Sequence, residues 1–101
     1  MSISAALSRG GEELIINVAG RFDFSEHRAF RGSYEQLSYF PRRYTVDMRQ
    51  ATYLDSAALG MLLLLRDYAG GDAASIQILN CSDELRQILD ASNFGGLFHI
   101  F

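Results

Sequence analysis

Short runs of apolar residues with strand-like spacing open the chain. Residues 2–8 and residues 14–20 (LIINVAG) are rich in apolar and β-branched side chains, and the two glycines between them favour a tight turn. We predict a β-hairpin from these two runs. The runs YTVDM at 44–48 and SIQILN at 75–80 predict two further strands.

The segment that follows the second strand has helical spacing. Asp23 and Glu26 lie three residues apart, which is the spacing of a capping box in which Asp replaces the usual Ser or Thr. We predict a helix over 24–38 that ends before Pro41. Three apolar side chains fall on one face of this helix: Phe30, Tyr34 and Leu37.

Two more helices are predicted in the second half of the chain. Residues 57–69 are nearly all apolar and are followed by two glycines, which often end a helix. Ser82, followed by two acidic residues, is typical of a helix start, and this last helix should end within 93–96. The apolar tail at 97–101 (LFHIF) should pack against the domain, as a short strand.

The predicted order is therefore β-β-α-β-α-β-α with a short strand in the tail. Strands that alternate with helices favour a mixed sheet with parallel crossovers. We predict a small α/β fold, with four to five strands and three to four helices, that forms a single domain over residues 1–101. In so short a chain, we expect the helices to cover only one face of the sheet well.

Composition and charge argue against several classes of function. The formal charge is −3, and all nine basic residues are scattered arginines with one adjacent pair, Arg42-Arg43, so we expect no binding of nucleic acid. No apolar run reaches the roughly 18 residues of a membrane span, and the N-terminus lacks the pattern of a signal peptide. The single cysteine, Cys81, suits a reducing compartment, so we expect a cytoplasmic protein that does not insert into membranes.

An acid and a hydroxyl, Asp55 and Ser56, stand immediately before the apolar helix at 57–69. We place Ser56 at the N-cap, where its hydroxyl accepts a hydrogen bond from an amide two or three residues further on. This structural role alone accounts for a serine at this position. A functional role for Ser56 therefore needs further support.

Two chemical roles for Ser56 find little support in the sequence. A nucleophilic serine needs a base, for which His27 and His99 are the candidates, but the strained G-x-S-x-G turn is missing. An anion held by the helix amides would be repelled by Asp55, and no glycine-rich loop precedes the helix. The histidines have no metal-type spacing with Cys81, so we expect no metal site and no cofactor.

Phosphorylation is a third role for Ser56. A phosphoserine carries about −1.5 to −2 charges, which the helix dipole favours by roughly 0.3–1 kcal/mol. Burying that charge without compensation at an interface with a partner costs on the order of 2–5 kcal/mol. Phosphorylation would therefore preserve the fold and abolish binding.

The helix at 57–69 has more apolar surface than one contact with the sheet can bury. Either a partner docks on the excess, or the tail and the last helix cover it. Leu59, Leu63 and Arg66 lie around the helix from the main apolar side, and Leu64 lies further still. That main side carries Ala58, Met61, Leu62, Leu65 and Ala69.

These motifs together resemble those of one family. DSAALG at 55–60 resembles the D-S-[ST]-G-L-G signature of STAS domains, the anti-sigma factor antagonists. GRFD at 20–23 resembles the family's G-x-[LF]-D, and VDMRQATYLDS at 46–56 resembles its V-x-D-[LM]-x-x-x-x-[FY]-[LIM]-D-S run. The resemblance continues through 76–94 and covers nearly the whole chain, which implies a STAS-like fold.

The resemblance implies a partner-switching protein that is not an enzyme. In this family the unmodified protein binds an anti-sigma factor, often a serine kinase. The kinase phosphorylates the signature serine and so breaks the complex, and a PP2C-type phosphatase restores it. By position this serine is Ser56, and Asp23 and Asp55 match the acids that flank it. The partner-binding residues implied are Asp23, Asp55, Ser56, Ala57, Ala58, Leu59 and Leu63.

Two residues depart from the family signature. Ala57 replaces a hydroxyl residue, and Ala58 replaces a glycine. An alanine favours a helix by up to about 1 kcal/mol, but it adds a methyl group where the backbone of a partner would approach. These departures leave an alternative open, in which the chain is a non-phosphorylated STAS accessory subunit of an ABC-type phospholipid transporter.

Overall fold

The order of elements agrees with the order predicted from the sequence. A computed structural model describes residues 2–101 and has α/β architecture. The strands are β1 (Ile3–Leu7), β2 (Glu13–Phe22), β3 (Arg43–Leu54), β4 (Ile76–Leu79) and β5 (His99–Ile100). The helices are α1 (His27–Glu35), α2 (Ser56–Tyr68) and α3 (Asp83–Ala91), and short 3-10 turns span Phe24–Glu26, Gly71–Ala73 and Phe94–Gly96.

The five strands form one sheet in the order in which they occur along the chain. β1 and β2 pair antiparallel as the predicted hairpin, and every later pairing is parallel. Because right-handed crossovers then add each strand on the same side of the last, all three helices lie on one face of the sheet. The other face is left without a helical layer, as expected from the length of the chain.

Burial along the strands follows this division. Alternate residues of β2 and β3, such as Ile16 and Val46, are fully buried beneath the helices. On the opposite face, Gln77 donates a hydrogen bond to Thr45 over 2.9 Å, and the Thr45 hydroxyl donates to the carboxylate of Glu13. This row of hydrogen-bonded polar groups crosses three strands of the open face.

The predicted bounds were wrong for β3 and for the first helix, and α3 ends at Ala91, before the predicted 93–96. β3 extends over twelve residues instead of five, because two register shifts against β2 let the strand continue past the polar residues that hide its alternation. Asp47 therefore lies inside the strand and accepts hydrogen bonds from the amide of Arg49 and the side chain of Asn80. α1 ends at Glu35, well before Pro41, and a 3-10 turn replaces its predicted first residues.

The apolar side of α2 is the predicted one. Ala58, Met61, Leu62 and Leu65 are buried against the sheet, and Gly70, with φ +121°, lies just beyond the end of the helix. The tail covers one end of α2, where the carbonyl of Leu97 accepts a hydrogen bond from Arg66. Leu63 and Leu64 stay exposed at 39% and 51%, so the tail covers only part of the apolar excess.

Candidate functional site

Two aspartates stand side by side at the ends of the central strands. The last residue pair in the parallel register of β2 and β3 is Phe22 with Leu54, so Asp23 and Asp55 are the next residues of the two strands. Each aspartate leaves its strand with an extended backbone and caps the helical segment that follows. The carboxyl-terminal edge of the sheet therefore carries two adjacent acidic groups.

Asp55, and not Ser56, is the N-cap of α2. Its carboxylate accepts a hydrogen bond from the amide of Ala58 over 3.1 Å, and its carbonyl accepts one from the amide of Leu59 over 3.0 Å. The prediction that Ser56 caps the helix was wrong by one residue, because Asp and Ser are equally good caps and the helix begins one residue earlier.

This shift leaves Ser56 without a structural role. Ser56 is the first residue of α2 and is exposed, and its hydroxyl makes no hydrogen bond to any other residue within 2–101. The capping that would have explained the serine is supplied by its neighbour. The hydroxyl is therefore free to react or to contact another molecule.

Asp23 is held by Ser25 and Arg21. One carboxylate oxygen accepts hydrogen bonds from the Ser25 hydroxyl at 2.5 Å and the Ser25 amide at 3.0 Å, and the other lies 3.4 Å from Nε of Arg21. The hydrogen bond from the Ser25 hydroxyl is the main cause that lowers the pKa of Asp23 from its usual 3.8, followed by the Ser25 amide. The predicted capping box is incomplete: Glu26 donates its amide to the carbonyl of Asp23, but within residues 2–101 its carboxylate returns no bond.

Arg21 and Tyr53 complete this corner of the molecule, and sequence reasoning missed both. The two residues are paired in the register of β2 and β3, and the guanidinium carbon of Arg21 lies 3.7 Å from the centroid of the Tyr53 ring. Each residue precedes an aspartate by two positions, in R-F-D and in Y-L-D. This shared spacing on two parallel strands is a signal that could have identified them.

Exposed apolar side chains lie on both helical segments that start at this edge. Phe24, directly after Asp23, is 70% exposed and stacks on the ring of His27 at 5.3 Å. Leu63 lies two turns along α2 from Ser56, on the same face, and Leu64 follows it. Sequence reasoning selected Leu63 but not Phe24, because Phe24 was predicted as the first residue of a helix, whereas it begins a short 3-10 turn.

The remaining predicted site residues differ in exposure. Ala57 and Leu59 are half-buried, whereas Ala58 is completely buried. The expectation that the methyl group of Ala58 faces a partner needs correction: this side chain packs in the core, because helical spacing places it on the same face as Met61 and Leu62.

The structure brings no catalytic or metal-binding set together in residues 2–101. His27 stacks on Phe24, His99 lies in β5, and neither is hydrogen-bonded to Ser56. Within the same residues, no group of three or more His, Cys, Asp or Glu side chains is arranged to hold a metal ion. None of the helices described is long and apolar enough to cross a membrane.

Comparison with known proteins gives a match over almost the whole chain. Residues 5–99 match the family model of the "Mlab, STAS domain". A STAS-domain containing protein of Pseudomonas aeruginosa (strain UCBPP-PA14) is 59% identical over 100 residues, which are 99% of each chain.

Solved structures share the fold at low sequence identity. A sulfate transporter family protein from Wolinella succinogenes has a TM-score of 0.75 and 16% identity, over 93% of this chain and 80% of that one. The anti-sigma factor antagonist SpoIIAA in its unphosphorylated form has a TM-score of 0.71 and 17% identity, over 98% and 86%. The phosphorylated form of SpoIIAA from Bacillus has a TM-score of 0.67 and 16% identity, over 98% and 90%.

Proposed function

The chain belongs to the STAS domain family, and on that premise we propose that it is an anti-sigma factor antagonist that phosphorylation of Ser56 switches off. One observation carries the proposal: Ser56 is exposed at the first turn of α2, and its hydroxyl makes no hydrogen bond within residues 2–101, since Asp55 caps the helix. We therefore expect a modification at this position to leave the packing of the domain intact.

The proposed binding surface surrounds Ser56. It consists of Asp23, Asp55, Ser56, the half-buried Ala57 and Leu59, and the exposed Phe24 and Leu63. A partner that rests on Phe24 and Leu63 would bring apolar surface close to Ser56. An added phosphate would then be buried beside two carboxylates, at a cost of about 2–5 kcal/mol, or roughly 30-fold to several thousand-fold in affinity.

The proposed partner is an anti-sigma factor, which in this family is often the serine kinase itself. A PP2C-type phosphatase would remove the phosphate and restore binding. The protein would act in the cytoplasm as a non-enzymatic component of transcription regulation. The shared fold with SpoIIAA, whose unphosphorylated and phosphorylated forms are both known, supports this proposal.

A pull-down from native extract tests the proposal with three forms of the full chain. We expect wild type and Ser56→Ala to retain the same regulatory partner and Ser56→Asp to lose it, while circular dichroism shows all three folded. Ser75→Asp is the matched control, since Ser75 is also exposed but lies before β4, at the opposite edge of the sheet. Retention of the partner by Ser56→Asp, together with failure to detect phospho-Ser56 in cells by mass spectrometry, would overturn the proposal.

A second candidate is an accessory subunit of an ABC-type phospholipid transporter without a phosphorylation cycle. A sulfate transporter family protein contains the same fold, so a domain of this fold is compatible with a role beside a transporter. The same pull-down distinguishes the two functions by what is recovered. A transporter subunit bound equally by wild type and Ser56→Asp would support the second candidate, and a serine kinase lost with Ser56→Asp would support the first.

A further inference from the structure

Arg21 lies at the edge of the proposed switch with most of its hydrogen-bonding capacity unused. Its side chain is 64% exposed, and among its nitrogens within residues 2–101 only Nε makes a polar contact, at 3.4 Å from Asp23. The guanidinium group has five N–H donors, and its four Nη hydrogens have no acceptor within residues 2–101. The face of the group rests on the ring of Tyr53, which holds the cation in place without occupying those donors.

Both contacts of Arg21 connect it to the start of α2. Tyr53 lies on β3, three residues before Ser56. Asp23 comes directly after Phe22, which pairs with Leu54 at the end of β3, two residues before Ser56. The cation is therefore restrained on the two strands whose ends carry the serine and both carboxylates. A phosphate on Ser56 would add a dianion to this edge beside Asp23 and Asp55.

We propose that Arg21 binds the phosphate of phosphorylated Ser56 and gives up Asp23 to do so. This inference rests on the proposed phosphorylation of Ser56. A phosphate offers more charge than a carboxylate and accepts two parallel N–H bonds from one guanidinium, whereas the present contact with Asp23 is single and long.

The exchange leaves no unsatisfied group behind. After Arg21 departs, Asp23 keeps the hydrogen bonds from the Ser25 hydroxyl and amide, so its carboxylate remains in place and ionised. The surface nevertheless changes at two points, because Asp23 loses its cation and Ser56 gains a phosphate whose charge a single guanidinium offsets only in part. A partner that recognises the Arg21–Asp23 pair would thus lose a second contact in addition to meeting the phosphate.

The test uses the full chain with phosphoserine incorporated genetically at position 56. A 31P NMR titration measures the second pKa of the phosphate in the wild-type background, in Arg21→Gln, and in Arg42→Gln. Arg42 is the matched control, since it is an exposed arginine next to the opposite end of β3. We expect Arg21→Gln to raise the phosphate pKa by roughly 0.3 to 0.7 of a pH unit, as for an exposed ion pair, and Arg42→Gln to leave it unchanged.

A second measurement follows the release of Asp23. We expect the Ser25 amide resonance to shift on phosphorylation in wild type and to shift much less in Arg21→Gln, while Arg21→Lys gives an intermediate phosphate pKa. Equal phosphate pKa values in wild type and Arg21→Gln would overturn the inference. A larger change with Arg28→Gln, from the first turn of α1, would also overturn it and would assign the phosphate to that arginine.

These outcomes are independent of those that test the proposed function. The titration reports whether Arg21 contacts a phosphate that has been placed on Ser56. Partner retention by Ser56→Asp and the absence of phospho-Ser56 in cells bear on the function alone.

Discussion

The starts of α2 and α3 use the same residue type in opposite ways. At α3, Ser82 is the N-cap, and its hydroxyl accepts a hydrogen bond from the amide of Leu85 over 3.2 Å. At α2 the cap is Asp55, and Ser56 lies one residue inside the helix with a hydroxyl that bonds to nothing within residues 2–101. Ser82 is thus explained by the fold, whereas Ser56 is not. An unused hydroxyl next to a satisfied cap is the feature that separates the two serines.

The largest expected effect concerns partner binding. Phosphoserine at position 56 should weaken binding to the regulatory partner by at least about 30-fold, because the charge would be buried beside two carboxylates. Phosphoserine at position 82 should change that affinity less than about threefold. Isothermal titration calorimetry with the purified partner measures both. Equal losses at the two positions would remove the proposed difference between the two serines.

The two caps should contribute comparably to the free energy of unfolding. Asp55→Ala and Ser82→Ala should each lower the free energy of unfolding by about 1 kcal/mol, since each leaves an amide of the first turn without its acceptor. Urea denaturation followed by circular dichroism measures the change. Asp55→Ser restores a capping oxygen and serves as the control that should recover most of the loss. An unchanged stability in Asp55→Ala would show that Asp55 is not the effective cap.

Ser56→Ala should leave stability almost unchanged. We expect a shift within about 0.5 kcal/mol, because the hydroxyl has no partner within the domain and alanine is a good helix former. Urea denaturation beside Ser82→Ala sharpens the comparison between the two serines. A loss near 1 kcal/mol in Ser56→Ala would restore the capping role that the sequence first indicated.

The smallest effect concerns acid pH and Asp23, which caps the short turn before α1. Its pKa is lowered in the folded chain, so its contribution to stability is present above the unfolded pKa and lost as the pH falls through the folded pKa. We expect Ser25→Ala to raise the pKa of Asp23 toward 3.8, since the Ser25 hydroxyl is the main cause of the lowering. NMR titration of the Asp23 carboxyl measures this. If the pKa of Asp23 were unchanged in Ser25→Ala, the backbone amide at position 25 and Arg21 would be the groups that lower it.

The order of elements, the hairpin and the buried side of α2 were predictable because their periodicity is strong. Ala58, Met61 and Leu62 recur at helical spacing, and only one rotation of the helix about its axis turns all three toward the sheet. β3 was predicted too short because its bulges break the alternation that identifies a strand, as near Asp47. The spacing of apolar residues therefore predicts the buried face of a helix well, but it predicts the end of a strand poorly.

The sequence predicted the two aspartates and the serine of the candidate site, but not which residue caps α2 or which residues surround Asp23. Neighbouring Asp and Ser residues are both good caps, so no pattern within the segment decides which of Asp55 and Ser56 begins the helix. Arg21 and Tyr53 were missed because their contact depends on the register between β2 and β3, which pairs residues 32 positions apart. Family membership is established for the chain, whereas the partner-binding residues remain a proposal.

The cap at Asp55 has a consequence for how such a domain can change over evolutionary time. Because the side chain of Ser56 is not needed for folding, a related protein can carry threonine, alanine or aspartate at this position and keep the same fold. Regulation could then be gained, fixed in one state or abandoned by a single codon change, with no compensating substitution elsewhere.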